Sequence, residues 1–210
     1  MAAVTPGDRA ALEADIARLA AMPISRYSRY SRGEQFAYWA NLYNMATVTT
    51  VLRHYPVASI RDIATSPGWF AIGPWGAKLF PVEGTQLSLD DIEHRILRPV
   101  WRDPLVHYVV NCAALGCPNL PAAPLNAATT EAMLDDAARE FVNHPRGAAI
   151  ESGRLVASSI YVWFASDFGP LPADVVRHLR SYARQDFYTA LSHIRQVSAD
   201  RYDWALNDAR

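Results

Sequence analysis

The stretch from Glu34 to Tyr55 carries apolar side chains on nearly every face of a helix. At about 100° per residue, Phe36, Trp39, Leu42, Tyr43, Ala46, Val48, Val51 and Leu52 leave no continuous solvated stripe. A helix that is apolar all round must be surrounded by other elements. It is therefore expected at the centre of the fold, stopping before Pro56, whose ring disfavours a helical residue ahead of it. No apolar run reaches the roughly 18 residues of a membrane span, so the helix is a core element and nothing is expected to cross a membrane.

The remaining elements read as a mixture. A helix is predicted over Pro6–Ala21, with Leu12, Ile16 and Leu19 on one face. A polar loop follows from Ser25 to Arg32. Glycines and prolines punctuate 66–76, and Leu79–Val82 and Thr85–Leu87 around Glu83-Gly84 form a short hairpin. Ser88 caps a helix over Leu89–Leu97, with Asp90 and Asp91 well placed in its first turn. Val106–Val110 is β-branched and aromatic, which predicts a buried strand. A turn-rich loop spans Cys112–Pro124, and Thr129 or Thr130 starts a helix running to Val142. Ala148–Glu151 and Arg154–Ala157 flank the hairpin signal Ser152-Gly153. Ser159–Phe164 fits strand or helix, and helices near Ala173–Tyr182 and Phe187–Gln196 close the chain. The fold class is α+β: a buried central helix packed against a small antiparallel sheet and hairpins. The expected organisation is one domain over 1–210, with a core at about 33–167 and a helical C-terminal extension at 168–210.

Size and charge narrow the function. A chain of 210 residues buries roughly 70% of its unfolded surface, so it needs no metal or disulfide framework to fold. With 20 basic and 21 acidic residues and a net charge of −1, it lacks the excess of cations that a nucleic-acid partner would require. Lys78 is the only lysine; with the abundant alanine this points to a GC-rich genome rather than to chemistry. Met1-Ala2-Ala3 leads into polar residues with no apolar stretch, so no signal peptide is expected within this sequence. No GxGxxG, P-loop, HExxH, GxSxG or EF-hand pattern is present, and no cofactor is expected.

Polar residues in apolar surroundings are the candidates for function. Asn41 and Asn44 lie one turn apart inside the buried helix, beside Tyr43. A buried amide without partners costs about 1–3 kcal/mol, so the two either tie loop backbones to the helix or line a site. Glu93 falls within the apolar arc of Leu89, Ile92, Ile96 and Leu97 and needs a cation or donors, for which Arg53 or Arg61 is the expected partner. The densest cluster is His107-Tyr108-Val109-Val110-Asn111-Cys112, followed by Cys117-Pro118. On a strand, His107, Val109 and Asn111 would share one face. Three readings of the cysteines compete: Cys112 as a nucleophile with a histidine base, a Cys112–Cys117 disulfide, or a zinc site with Glu93 or His94 and His107. The Cys-x4-Cys spacing matches no strong zinc signature, so no metal is expected. His54, His144 and His178 read as structural or solvated, and Trp69 and Trp75 stand out among the tryptophans by their place in a Gly/Pro loop.

At these residues the chain resembles a family catalogued as domain of unknown function 547, found in bacteria and plants. The resemblance rests on Glu34-Gln35-Phe36-Ala37-Tyr38-Trp39-Ala40-Asn41-Leu42-Tyr43-Asn44, on His54-Tyr55-Pro56 and on Ser59-Ile60-Arg61-Asp62-Ile63. It continues through Ser88-Leu89-Asp90-Asp91-Ile92-Glu93-His94, Ile96-Leu97-Arg98, Asp103-Pro104 and His107. It is most specific at Asn111-Cys112-Ala113-Ala114-Leu115-Gly116-Cys117-Pro118, and Tyr202-Asp203-Trp204-Ala205-Leu206-Asn207-Asp208 resembles the end of bacterial members. The resemblance implies an exported bacterial protein of the periplasm or envelope, with Asn41, Asn44, Glu93, His107, Cys112 and Cys117 as motif residues. A helix packed on an antiparallel sheet, with a histidine at a strand start, also looks like the papain and transglutaminase architecture, at fold level only.

The functional expectation is a binding or structural module for an unidentified small molecule, peptide or protein. Asn41, Tyr43, Glu93 and Asn111 are its candidate contact residues. The alternative is a thiol-dependent hydrolase or acyltransferase, with Cys112 as nucleophile, His107 as base and Asn44 orienting it or donating to an oxyanion.

Overall fold

Ser31 and Glu34 start the central helix by capping each other: the Glu34 N–H donates to the Ser31 hydroxyl (3.3 Å), and the Ser31 N–H donates to the Glu34 carboxylate (2.7 Å). In a computed structural model describing residues 3–208, this helix is α3 (Arg32–His54), preceded by α1 (Pro6–Ala20) and a short α2 (Ile24–Tyr27). The α2 turn overlaps the start of the segment expected to be loop, Ser25 to Arg32. Met1 and Ala2, where the signal-peptide reading begins, and the last two residues of the expected 1–210 domain lie outside the described residues. Leu42 and Val51, on different faces of α3, are both fully buried, as the all-round apolarity requires.

The hairpin β1 (Phe80–Val82) and β2 (Thr85–Leu87) lies where the Glu83-Gly84 turn places it. Beyond it Ser88 and Asp91 form a second reciprocal cap, and the chain stays helical to Trp101, a turn past the predicted end. Its middle, Asp91–Leu97, is a π-helix, in which bonds reach five residues back: the Arg98 N–H donates to the Glu93 carbonyl. Such wide turns are frequent at functional sites. The last turn is α4 (Arg98–Trp101).

The strand expected at Val106–Val110 is not formed. Pro104–Tyr108 is a 3-10 helical turn instead. Asp103 caps it, accepting from the Leu105 N–H (2.9 Å), and Pro104 supplies the φ that a first helical position wants. Periodicity cannot separate a short buried strand from a buried turn. Val106, Val109 and Val110 enter the core around α3 while Tyr108 enters a second core. His107, Val109 and Asn111 therefore share no strand face, and the histidine at a strand start, on which the papain-like comparison rested, is absent.

The second core joins α5 (Thr130–Val142), β3 (Ala148–Glu151), β4 (Arg154–Ser158), α6 (Ile160–Trp163), α7 (Ala165–Phe168), α8 (Pro172–Tyr182) and α9 (Gln185–Ala190). Phe141, Leu155, Tyr161 and Leu179 fill it. Thr129 makes no side-chain cap for α5; the turn leading into it is held by Asn126, whose side chain accepts from the Ala128 and Thr129 N–H groups (3.0 and 3.2 Å). The ambiguous Ser159–Phe164 segment folds as α6. A strand missed in the sequence, β5 (Ala199–Arg201), runs parallel to β4. The three-stranded sheet is thus mixed, and the C-terminal part is not wholly helical. Past β5 the tail returns to the first half, where Ala205 pairs with Ser59 and Leu206 with Ala114. The architecture is α+β, and among the described residues no helix is long and apolar enough to cross a membrane.

Candidate functional site

Three asparagines tie loop backbone into the fold, two of them at the cysteine-bearing segment. Asn44 donates to the Val109 carbonyl (2.7 Å) and accepts from the Asn111 N–H (2.8 Å). Asn111 in turn donates to the Pro118 carbonyl (2.6 Å) and accepts from the Ala113 N–H (2.7 Å). Asn41 grips Leu125 through both its N–H and its carbonyl, each at 2.9 Å. Each amide thus spends both its ends on backbone, which satisfies the buried Asn44 and Asn111 and the half-buried Asn41. Asn41, Asn44 and Asn111 do not line the pocket described next; Asn44 and Asn111 fasten the segment that carries Val110, Cys112 and Cys117, which do, while Asn41 holds Leu125, outside it.

That pocket has a volume of about 440 Å³ and brings together Tyr43, Glu93, His107, Cys112 and Cys117, with Trp75, Trp163, Phe164, Tyr202 and Trp204 among its walls. Of the candidates from sequence, Tyr43, Glu93, His107 and Cys112 therefore meet in one place. Trp75 packs edge-on against Trp204, their ring centroids 5.7 Å apart. Trp69 does not line the pocket and is fully exposed.

The His107 ring is buried and stacked on Phe164, centroids 4.4 Å apart. Its Nε2 lies 2.8 Å from an Asp167 oxygen, and its Nδ1 faces Glu93 at 3.9 Å. Arg98 holds Asp167 with two bonds, 2.6 and 3.0 Å, and lies over the Phe164 ring. Burial opposes charge on Asp167, but the bonds from His107 and Arg98 outweigh it and hold the carboxyl well below the usual range. Neither arginine expected beside Glu93 is there: Arg53 binds Glu13 (2.8 Å) and Arg61 lies over Trp204. The neighbours of Glu93 are His107 and His94, each at 3.9 Å, and Tyr43. Burial, and then the Glu93 carboxylate, push the Tyr43 hydroxyl far above its ordinary value.

Cys112 and Cys117 are free thiols whose sulfurs lie 2.8 Å apart. The Cys112 N–H donates to the Cys117 sulfur (3.0 Å), and the Tyr202 hydroxyl lies 2.8 Å from the Cys112 sulfur. The bond to Cys117 is the main cause that lowers the Cys112 thiol from its usual range; burial opposes it and Tyr202 assists. Burial pushes Cys117 and Tyr202 up. Gly116 makes this approach possible: a Cβ there would stand 2.8 Å from the Asp203 nitrogen and 2.9 Å from the Tyr202 ring.

The charge of the pocket is lopsided. Asp90 and Glu93 line it with two histidines, and among the described residues no lysine or arginine does. Burial raises Asp90 above its ordinary value. Among the described residues no group of three or more His, Cys, Asp or Glu side chains is placed to hold a metal ion. His178 is structural, its Nε2 2.7 Å from the Tyr108 hydroxyl, and burial lowers it to about 4.

Asp167 and Tyr202 were missed from sequence. Asp167 stands 60 residues from the histidine it meets, and Tyr202 90 residues from the cysteine. Only the closing motif from Tyr202 to Asp208 gave any sign of the latter. The model of a family described as protein of unknown function, DUF547, matches residues 27–142. No curated protein and no solved structure matches the chain.

Proposed function

The chain belongs to the DUF547 family, and we propose that in this member the pocket between α3 and the C-terminal tail binds a small amphipathic molecule with a cationic or neutral polar end. The observation that carries this reading is the acidic, ring-walled lining without a lysine or arginine among the described residues. Pockets of a few hundred Å³ with apolar walls and few polar groups are the usual form of a small-molecule site. Aromatic faces beside carboxylates favour an ammonium over a carboxylate. Asn44 and Asn111 serve this site by fastening its cysteine-bearing loop, so the binding and the loop-fastening roles of the polar cluster fall to different residues.

The test is a matched pair of probes, 2-phenylethylamine and 3-phenylpropionate, followed by thermal shift and calorimetry. The amine is expected to bind and raise the melting temperature, and the carboxylate to do neither. Glu93→Gln should weaken the amine about tenfold, or roughly 1.4 kcal/mol, while leaving the melting temperature of the free protein within a few degrees. Equal binding of both probes would sink the proposal.

A second reading, acyl transfer from Cys112, is favoured by the lowered thiol opening on the same pocket as His107. Against it stands the partnering: the hydrogen bonds of Cys112 go to Cys117 and Tyr202, and His107 faces Glu93 and Asp167. It predicts release of nitrophenolate from p-nitrophenyl acetate under reducing conditions, lost in Cys112→Ala. Equal rates for the two proteins would exclude it.

A further inference from the structure

We propose that Cys112 and Cys117 form a reversible dithiol that exchanges with organic disulfides entering the pocket, Cys112 attacking and Cys117 resolving. The two sulfurs already lie 2.8 Å apart, on a loop held by hydrogen bonds at several points. Ala113 sits at φ +62, held there by its bond to Asn111 (2.7 Å). The Leu115 and Gly116 N–H groups donate to the Ala205 and Asp203 carbonyls of the tail, both at 2.8 Å. Cys117 closes the turn with a bond to the Ala114 carbonyl (3.0 Å). The loop is thus pinned from α3 and from the C-terminal segment at once.

The two thiols are also unequal in the way such a pair requires. Both line the pocket, but Cys112 is half-buried and the more accessible of the two, while Cys117 is buried. The lowered Cys112 thiol and the raised Cys117 thiol agree with that division of labour. Neither the ligand reading nor acyl transfer assigns a role to Cys117; exchange does.

The chemistry balances without a further reactant. Cys112, as thiolate, attacks one sulfur of a substrate R–S–S–R′; a Cys112–S–R bond forms, and R′S⁻ leaves and takes a proton. Cys117 then gives up its proton and attacks the Cys112 sulfur. The Cys112–Cys117 bond forms and RS⁻ leaves, taking a proton in its turn. The substrate disulfide is reduced to two thiols by two electrons from the protein, which is oxidised to an internal disulfide. A dithiol reverses the sequence. The preference among disulfides rests on the acidic pocket of the ligand reading: cystamine, which is cationic, should react faster than oxidised glutathione, which is anionic. The exchange itself does not rest on it.

The experiment adds cystamine, and separately oxidised glutathione, to the reduced full chain and follows intact mass with time under native conditions. Wild type is expected to pass through a mixed disulfide to a form lacking two hydrogens, and dithiothreitol should restore it without denaturant. Cys117→Ser should stop with one cysteamine on Cys112, and Cys112→Ser should not react. Similar rates with the two disulfides would support exchange and count against the cationic ligand. A mixed disulfide that persists in wild type overturns the proposal, as does equal reactivity of Cys112→Ser. So does an internal disulfide that resists native dithiothreitol, which would make the pair a structural cross-link. If Cys117→Ser fails to fold, the wild-type time course and its reversal decide alone.

Discussion

Replacing Asn44 by alanine is expected to cost about 2–4 kcal/mol of folding free energy, because it strands two buried backbone groups at once. The amide is buried at the middle of α3 and joins the Val109 carbonyl to the Asn111 N–H. Each group left unsatisfied costs about 1–3 kcal/mol, and the space left behind adds to it. Asn41→Ala should cost less, because Asn41 is only half-buried and water can reach Leu125 in its place. Urea denaturation measures both, as a lowered midpoint at unchanged slope. A change at Asn44 within the roughly 0.5 kcal/mol typical of surface substitutions would mean the amide is not holding the cysteine-bearing segment.

The second large effect is expected at Asp167. Alanine there removes the group that pairs both Arg98 and the buried His107. Breaking a fully buried pair costs about 3–5 kcal/mol. The Asp167 side chain is 23% exposed and solvent screens part of this, so about 2–3 kcal/mol is expected at neutral pH. The pH dependence follows from the depressed carboxyl. A carboxyl that titrates lower in the folded state binds fewer protons there than in the unfolded chain, so its contribution rises with pH. It is complete above the unfolded range near pH 4, and it is lost as pH falls from there toward the folded value. The stability gap between wild type and Asp167→Ala should therefore narrow on acidification below about pH 4. Denaturation curves at pH 7 and pH 3 that keep the same gap would show that the carboxylate is not the source of the loss.

What the sequence made legible was what local pattern controls. The central helix could be read because apolar residues on every face admit one environment, and both hairpins because Glu83-Gly84 and Ser152-Gly153 supply the positive φ their turns adopt. The 3-10 turn at Pro104–Tyr108 was misread although its signal, Asp103-Pro104, was present. Five buried residues in a row look alike in either conformation, and β-branching weighted the choice toward strand. β5 was beyond reach: Ala199–Arg201 is exposed, and its pairing depends on β4, far back in the chain. The polar residues of α3 and Glu93 could be recognised as needing partners, but not sorted. The fold divides them by reach, the asparagines ending on backbone and Glu93, His107 and Cys112 lining the pocket among side-chain partners. Asp167 carries no local mark and Tyr202 only its place in the closing motif, because the importance of both lies in what the fold brings to them.

The return of the tail has a consequence for the order in which the molecule matures. Tyr202 reaches Cys112 across 90 residues, and Ser59 reaches the Trp204 carbonyl across 145. The entropy of closing such loops grows only slowly with length, but it is spent before the distant contacts can reward it, so they form late. The helical hairpin of α1 and α3 can pack while the pocket still lacks a wall. The wall that Tyr202 and Trp204 give the pocket is thus expected to close after the helices have formed, and Cys112 to gain the Tyr202 hydroxyl only then. On this order, the docking of the last strand and the tail is the step that gives Cys112 its Tyr202 partner.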